Sequence, residues 1–161
     1  MHKLYIAADH TGFALKSELA SYVRMLGYEV EDMGAHELVP DDDYPELITP
    51  VAQKVVETPD TLGIVIGGSG QGEAMAANRV KGARCALYYG QARAVGAIDA
   101  DGAHALDGYD IVRLAREHND ANVLSLAARF VELEDAKEAV RIFIETPFSG
   151  IERHARRIAK F

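Results

Sequence analysis

The sequence predicts an α/β fold in which a five-stranded parallel sheet has helices on both faces. Short apolar runs alternate five times with segments of helical periodicity, an order typical of parallel strands joined by helices. The clearest run, residues 62–66, is rich in β-branched residues and bounded by glycines, as expected of a strand buried on both faces. A length of 161 residues with 48% hydrophobic content fits one domain, 1–161, with a substantial core.

The five predicted strands are short apolar runs that end near turn-forming residues. They cover residues 4–8, 28–33, 62–66, 84–88 and 122–126. The second strand is the weakest, because acidic residues interrupt its apolar pattern.

Six predicted helices fill most of the intervals and the C-terminus. They cover residues 15–26, 45–56, 72–79, 111–117, 133–144 and about 151–160. Gly27 ends the first helix, where apolar residues recur at helical spacing. Pro45 begins the second, in which Pro50 predicts a local distortion.

Charge and composition restrict the partners of the chain. The formal net charge of −8 disfavours non-specific binding to nucleic acid or to an anionic membrane. No apolar stretch approaches the length of a membrane span or of a signal h-region. Cys85 is the single cysteine, which excludes an intrachain disulfide and suggests a reducing compartment. We therefore expect a cytoplasmic protein without nucleic-acid or membrane partners, and the scattered histidines predict no metal site.

A glycine-rich loop joins the third predicted strand to its helix. Glycines at 67, 68, 70 and 72 allow a sharp turn and a close approach to a ligand, and a helix start attracts anions. Ser69 and Glu73 are the side chains here that can do acid, base or nucleophile chemistry. Ordinary turn chemistry and a favourable helix-dipole contact explain them equally well. The glycine spacing fits neither a dinucleotide loop nor a Walker loop.

Several other polar residues flank the predicted strands. Because ligands bind at the carboxyl ends of parallel strands, we expect these residues to meet the glycine-rich loop in one site. They are Asp9, His10, His118, Asn119 and Arg129. Each has a simpler interpretation as a turn former, a helix-terminal cation or a surface charge.

The last helix carries a basic cluster. Arg153 and Arg157 are four residues apart and share one helix face, so their two guanidinium groups can bind a single phosphate. A solvated basic helix end is the alternative.

Five segments of the chain resemble the sugar-phosphate isomerase family that contains ribose-5-phosphate isomerase B and the galactose-6-phosphate isomerase subunits. They are IAADHTGFALK (6–16), DYPE (43–46), GIVIGGSGQGEAMAANRVKGARCAL (63–87), REHNDANVL (116–124) and ERHARRI (152–158). The similarity spans the chain apart from an inserted segment at about 89–109.

The resemblance implies a Rossmann-like three-layer α/β/α sandwich and a homodimer, or a tetramer, with active sites built from both subunits. It also implies the interconversion of ribose 5-phosphate and ribulose 5-phosphate through an enediolate, in the pentose phosphate pathway and without metal or cofactor. A hexose 6-phosphate substrate, such as galactose or allose 6-phosphate, and a non-catalytic sugar-phosphate-binding protein remain alternatives.

The resemblance also assigns roles to individual residues. Many members have a catalytic cysteine at the position of Gly67, whereas a second subgroup uses a glutamate that matches Glu73. A helix N-terminus lowers the pKa of a carboxyl group, so we expect desolvation to offset this effect at Glu73. The remaining assignments are an anion hole at Gly68, Ser69, Gly70 and Gly72, substrate contacts at Asp9, His10 and Asn119, ring opening by His118, and phosphate binding by Arg129, Arg153 and Arg157.

The inserted segment at about 89–109 lies outside the resemblance. Its glycines and aspartates predict a flexible, polar segment, and its acidic residues do not complete a calcium loop. It follows the carboxyl end of the fourth strand, so a lid over the site and an arm on another subunit are both consistent with its position. We favour the lid, because the segment offers little apolar area for an interface.

Overall fold

In the computed structural model, which describes residues 3–161, five strands form one parallel sheet and confirm the predicted α/β fold. The strands are β1 (Lys3–Ala8), β2 (Glu29–Asp32), β3 (Thr61–Gly67), β4 (Cys85–Tyr88) and β5 (Val123–Ala127). Every residue of β3 is buried, as its apolar sequence predicts.

Six helices accompany these strands in the described part of the chain. They are α1 (Phe13–Met25), α2 (Tyr44–Glu57), α3 (Gln71–Ala77), α4 (Asp110–Asn119), α5 (Leu133–Glu145) and α6 (Glu152–Ile158). Each predicted helix is present with its ends shifted by a few residues, and α2 continues through Pro50. Among residues 3–161, no helix is both long enough and apolar enough to cross a bilayer.

The strand order is β2-β1-β3-β5-β4, and every pair is parallel. The chain leaves β1 toward one edge of the sheet and later returns to β3 on the other side of β1. This reversal opens a crevice at the carboxyl ends of β1 and β3, where open α/β sheets bind ligands. In a second reversal the chain passes from β3 to the edge strand β4 and then returns, so that β5 lies between β3 and β4.

The helices form two layers because the connections are right-handed. Connections that cross the sheet in one direction place α2 and α3 on one face, where they contact each other. Those that cross in the opposite direction place α1 and α4 on the other face, and both contact α5.

Each face of the sheet has its own core. Ile6, Ile64 and Leu124 are fully or almost fully buried under the α1, α4 and α5 layer. Val65 and Val123 pack with α2 on the opposite face. Burying one such aliphatic side chain stabilises the fold by about 1.5–3 kcal/mol. The strand ends that carry the polar residues are therefore held on a rigid sheet.

Candidate active site

The segment after β1 packs directly on β3. The Asp9 N–H donates to the Ile66 carbonyl at 3.1 Å. A Cβ at Gly12 would lie 2.6 Å from Ile66 Cγ2, so only glycine fits this approach. The Asp9 and His10 side chains therefore start from the same crevice as the glycine-rich loop, as predicted.

Asp9 is buried, and its turn holds it in one orientation. Oδ1 accepts hydrogen bonds from the Thr11 N–H at 2.9 Å, the Thr11 hydroxyl at 2.6 Å and the Gly12 N–H at 3.0 Å. The Asp9 carboxylate is thus a fixed negative charge at the carboxyl end of β1.

The glycine-rich loop turns sharply from β3 into α3. Gly70 caps α3 with a left-handed φ of 70°, and its carbonyl accepts a 2.6 Å hydrogen bond from the buried Ser125 hydroxyl. Gly72 packs against the Tyr44 ring, and a Cβ built on Gly72 would lie 2.7 Å from the Tyr44 hydroxyl oxygen. Ser69, between these supports, is exposed to solvent. The contacts with Ser125 and Tyr44 fix the loop on its protein side, and its Ser69 side is open to a ligand.

Glu73 is only 4% exposed and occupies the third position of α3. A Cβ built on Gly67 would lie 2.0 Å from its carboxyl carbon, so the carboxyl group covers the end of β3. Burial raises the pKa of Glu73, the nearby Asp9 charge raises it further, and a backbone hydrogen bond opposes both. Desolvation therefore prevails, as expected, and makes Glu73 a better base.

Arg129 follows β5 and lies over the glycine-rich loop. Its N–H donates to the Gly68 carbonyl at 3.1 Å, and its Cζ lies 3.4 Å from a Cβ built on Gly68. The exposed guanidinium group adds a positive charge beside a loop suited to anions, as the predicted phosphate contact requires.

His10 has a partner that the sequence did not reveal. Its Nδ1 lies 2.7 Å from Asp42 Oδ1. This hydrogen bond raises the pKa of His10, against desolvation, and the Asp9 and Asp41 charges add to the effect. Asp9, His10 and Asp42 each offer one atom that could bind a metal ion, and these three atoms lie within 4.8 Å of one another. The absence of a metal from the reaction stays a prediction.

The expectation that His118 and Asn119 converge with Glu73 in one chain is wrong. Helix α4 runs from the carboxyl end of β4 back to the amino end of β5, and His118 and Asn119 both lie in its last turn. The Asn119 carbonyl accepts from Arg84 Nε at 3.1 Å, just before β4. The length of β5, five residues or about 16 Å, therefore separates His118 and Asn119 from the glycine-rich loop.

His118 belongs to a second cluster, formed with α6. Its ring lies 4.2 Å from that of the buried His154, measured between centroids. Arg153 Nε donates to His154 Nε2 at 3.3 Å, so the His154 Nδ1–H donates to the Ser149 hydroxyl at 2.9 Å. Burial lowers the pKa of His154, the charges of Arg153 and Arg157 lower it further, and a hydrogen bond with the Glu117 backbone opposes them, so the neutral ring is favoured.

The inserted segment reaches this second cluster. Asp101 Oδ2 pairs with Arg153 Nη2 at 3.1 Å. At the other end of the segment, Asp107 pairs with Arg113 of α4 at 2.7 Å. Residues 90–108 contain no helix or strand, and the segment is held by these ion pairs and by backbone hydrogen bonds such as that from the Ala92 N–H to the Gly108 carbonyl at 3.0 Å. Its role as lid or arm stays a prediction.

Two clusters of candidate site residues therefore lie at opposite strand ends of the sheet, one around Glu73 at the carboxyl ends and one around His118 at the amino ends. A sequence model of the family described as Ribose/Galactose Isomerase matches residues 4–161. The chain belongs to this family.

Curated members of the Ribose/Galactose Isomerase family are similar over nearly the whole chain. Ribose-5-phosphate isomerase B of Mycolicibacterium paratuberculosis is 38% identical over 97% of this chain and 87% of its own. The probable ribose-5-phosphate isomerase B of Mycoplasma pneumoniae is 39% identical over 99% of this chain and 92% of its own.

Solved structures of the family have the same fold. Ribose-5-phosphate isomerase B of Mycoplasma genitalium with bound ribulose-5-phosphate has a TM-score of 0.84 at 36% identity, covering 99% of this chain and 93% of that one. The Trypanosoma brucei type B enzyme also has a TM-score of 0.84, at 34% identity, covering 99% and 96%.

Proposed function

We propose that this protein is an aldose–ketose isomerase that interconverts ribose 5-phosphate and ribulose 5-phosphate through an enediolate. The buried Glu73 carboxyl group at the carboxyl ends of β1 and β3 is the observation that carries the proposal. The similarity to a ribose-5-phosphate isomerase B with bound ribulose-5-phosphate supports this choice of substrate.

Glu73 is the base that moves a proton between C2 and C1 of the open-chain sugar. It removes the proton from C2 of the aldose as the electron pair moves to O1, which forms the enediolate. The O2 proton then passes to O1, and Glu73 returns the abstracted proton to C1 as the C2–O2 carbonyl forms, which gives the ketose. The loop amides and the Ser69 hydroxyl donate to the oxygen that becomes negatively charged.

The His118 cluster completes the site from a second copy of the chain. The Glu73 cluster and the His118 cluster lie at opposite strand ends of one sheet, so a single chain does not bring them to one substrate. A two-fold axis perpendicular to the strands places the amino ends of the strands in one subunit beside the carboxyl ends of the strands in its partner. His118 and Asn119 then open the sugar ring, and Arg153 and Arg157 bind its phosphate together with Arg129 of the first copy.

The open edge of the sheet supports such a homodimer. Beside the edge strand β4, α3 exposes Met75 at 65%. A concavity runs along this edge, lined by Gln71, Ala74, Met75, Asn78, Arg79 and Leu87. Apolar side chains at an unpaired strand edge favour contact with another subunit. We place this homodimer in the cytoplasm and in the pentose phosphate pathway.

The deciding experiment is an isomerase assay on ribose 5-phosphate, with and without a chelator, beside galactose and allose 6-phosphate. We expect turnover of the pentose phosphate that the chelator does not change. The hexose phosphates are included because the family description also names galactose. Activity that a chelator abolishes and a divalent cation restores would contradict the metal-independent mechanism. Binding of every phosphosugar without turnover would indicate a binding protein.

A further inference from the structure

The acidic loop, residues 34–43, delivers one carboxylate to the active-site crevice. Asp42 lies 32 residues from His10 along the chain, yet its Oδ1 is 2.7 Å from His10 Nδ1. The Asp42 side chain is 12% exposed, whereas its neighbours Asp41 and Asp43 are exposed. Asp42 is therefore not one of several equivalent solvated charges.

The start of the acidic loop is anchored to the end of β1. The Ala8 N–H donates to the Gly34 carbonyl at 2.8 Å, and the Ala35 N–H donates to the Ala8 carbonyl at 3.0 Å. The buried Lys16 ammonium group bonds both Asp32 oxygens, at 2.7 and 2.8 Å, and the Ala35 carbonyl at 2.6 Å. Since His10 follows β1 by two residues, these bonds fix the start of the loop relative to His10.

Asp42 determines which ring nitrogen of His10 remains available. The Nδ1–H donates to the carboxylate, and within residues 3–161 no hydrogen bond occupies Nε2. About a third of the His10 side chain, 32%, is exposed. The groups that face the ring are Asp9 from the end of β1 and Asp41 and Asp42 from the loop, and all three favour the imidazolium form.

Stability alone does not explain this position of Asp42. Its Oδ2 is buried and has no hydrogen-bond partner in the described part of the chain. A buried oxygen without a protein partner does not stabilise a fold, and the hydrogen bond to His10 is the side-chain hydrogen bond that Asp42 makes among the described residues.

We propose that Asp42 is a positioning residue, which holds the His10 ring so that Nε2 presents an N–H to an oxygen of the bound sugar phosphate. This inference rests on the proposed function, because His10 acts through that substrate. Asp42 itself touches no substrate and acts only through His10.

The test compares Asp42→Asn with Asp41→Asn. Both variants remove one negative charge from the acidic loop, but Asp41 makes no hydrogen bond to His10. Asp41 has a φ of 63°, a conformation that asparagine tolerates well. The control therefore reproduces the charge change without breaking the contact.

Each variant is characterised by two measurements, the titration of His10 and the pH profile of activity. Long-range proton–nitrogen NMR spectra of the free protein report the tautomer and titration of His10, whose signals are assigned with His10→Asn. The second measurement is the pH profile of kcat/KM on ribose 5-phosphate. For Asp42→Asn we expect a lower His10 pKa, a base limb at lower pH, and a kcat/KM at pH 8 lower by roughly 10- to 100-fold, the range that a hydrogen bond to a charged group is worth.

Asp41→Asn should change both quantities much less, and a His10→Asn, Asp42→Asn double variant should be no worse than His10→Asn alone. Equal effects of the two loop variants would overturn the proposal, because general loop charge would then explain them. An unchanged His10 titration in Asp42→Asn, or additive losses in the double variant, would also overturn it. Absence of wild-type turnover would refute the proposed function, and the titration of the free protein would still decide the positioning.

Discussion

The Glu73 carboxyl group occupies the space that a side chain at position 67 would need. A Cβ on Gly67 would lie 2.0 Å from Glu73 Cδ and Oε1, far inside van der Waals contact. A catalytic side chain at position 67, the last residue of β3, and a glutamate that lies in this crevice from the first turn of α3 are therefore mutually exclusive here. The glycine at 67 is what allows Glu73 to lie in the crevice.

The first prediction concerns Gly67→Cys. The new side chain should push Glu73 out of the crevice, reduce kcat by at least about 100-fold and cost about 1–3 kcal/mol of stability through overpacking. Steady-state kinetics and thermal unfolding measure both effects. Gly96→Cys is the control, since a Cβ at Gly96 meets nothing within 4 Å. Wild-type kinetics in Gly67→Ala, which brings the same Cβ but no thiol that could replace the base, would show that Glu73 is not needed in its observed position.

The second prediction is that Glu73→Gln abolishes proton transfer. Kinetics should show a loss in kcat of roughly 10²- to 10⁴-fold with little change in KM, because glutamine keeps the shape and removes the base. Cys85→Ala should retain kcat, since burial raises the pKa of that thiol to about 12 and excludes it as a base. Substantial turnover by Glu73→Gln would reject Glu73 as the base.

The third prediction links Glu73 to stability. Its pKa is raised in the folded protein, so the protonated form is favoured and its contribution is lost as pH rises through the raised value. Glu73→Gln should therefore be more stable than the wild type at pH 8 and gain less at acidic pH. Urea unfolding at several pH values measures the difference. A difference that does not vary with pH would mean that the carboxyl group is not desolvated.

The fourth prediction is that active sites are shared between subunits. Neither Glu73→Gln nor Arg153→Ala/Arg157→Ala should be active alone, because each removes one half of every site. After random subunit exchange, roughly a quarter of wild-type activity should return, since half of the dimers are mixed and each has one intact site. Exchange is verified by native mass spectrometry with a tagged subunit. Exchange without recovered activity would place both halves of the site in one chain.

The fifth prediction concerns Asp101, which pairs with Arg153 at 3.1 Å. Phosphate has to compete with Asp101 for this guanidinium group, so Asp101→Asn should lower KM by about 2- to 5-fold, the limit for an exposed ion pair. Glu152→Gln breaks a comparable exposed pair, with Arg156 on the same helix, and should leave KM unchanged. A higher KM in Asp101→Asn would mean that Asp101 orients Arg153 rather than competing with phosphate.

Local sequence signals were sufficient for the fold class and for the position of Glu73 and Asp9 at the carboxyl ends of the strands. The run before Gly67 has the composition of a buried strand, and the glycines after it require a turn at a strand end. Asp9 follows another strand directly, so the parallel arrangement brings it to the same edge. In each case the chemistry lies within a few residues of an element whose direction is known.

Relationships across the sheet were harder to predict. The sequence rule that gathers polar residues at the carboxyl ends of strands fails for His118, because His118 precedes β5 and residues just before a parallel strand lie at its amino end. The strand order depends on packing between distant segments, which periodicity does not encode. The contact of Asp42 with His10 had no local signal either, since three consecutive aspartates in a loop usually indicate a solvated surface.

The strand order also determines when the sheet can close during synthesis. Edge strand β4 ends at Tyr88, but its sheet neighbour β5 begins only at Val123. A nascent chain between these points exposes β4 without a partner and β3 with one unpaired edge, both of which favour association with other chains. Translation stalled or truncated before β5 should therefore yield aggregation-prone fragments, and the chain has to emerge from the ribosome as far as Ala127 before the sheet is complete.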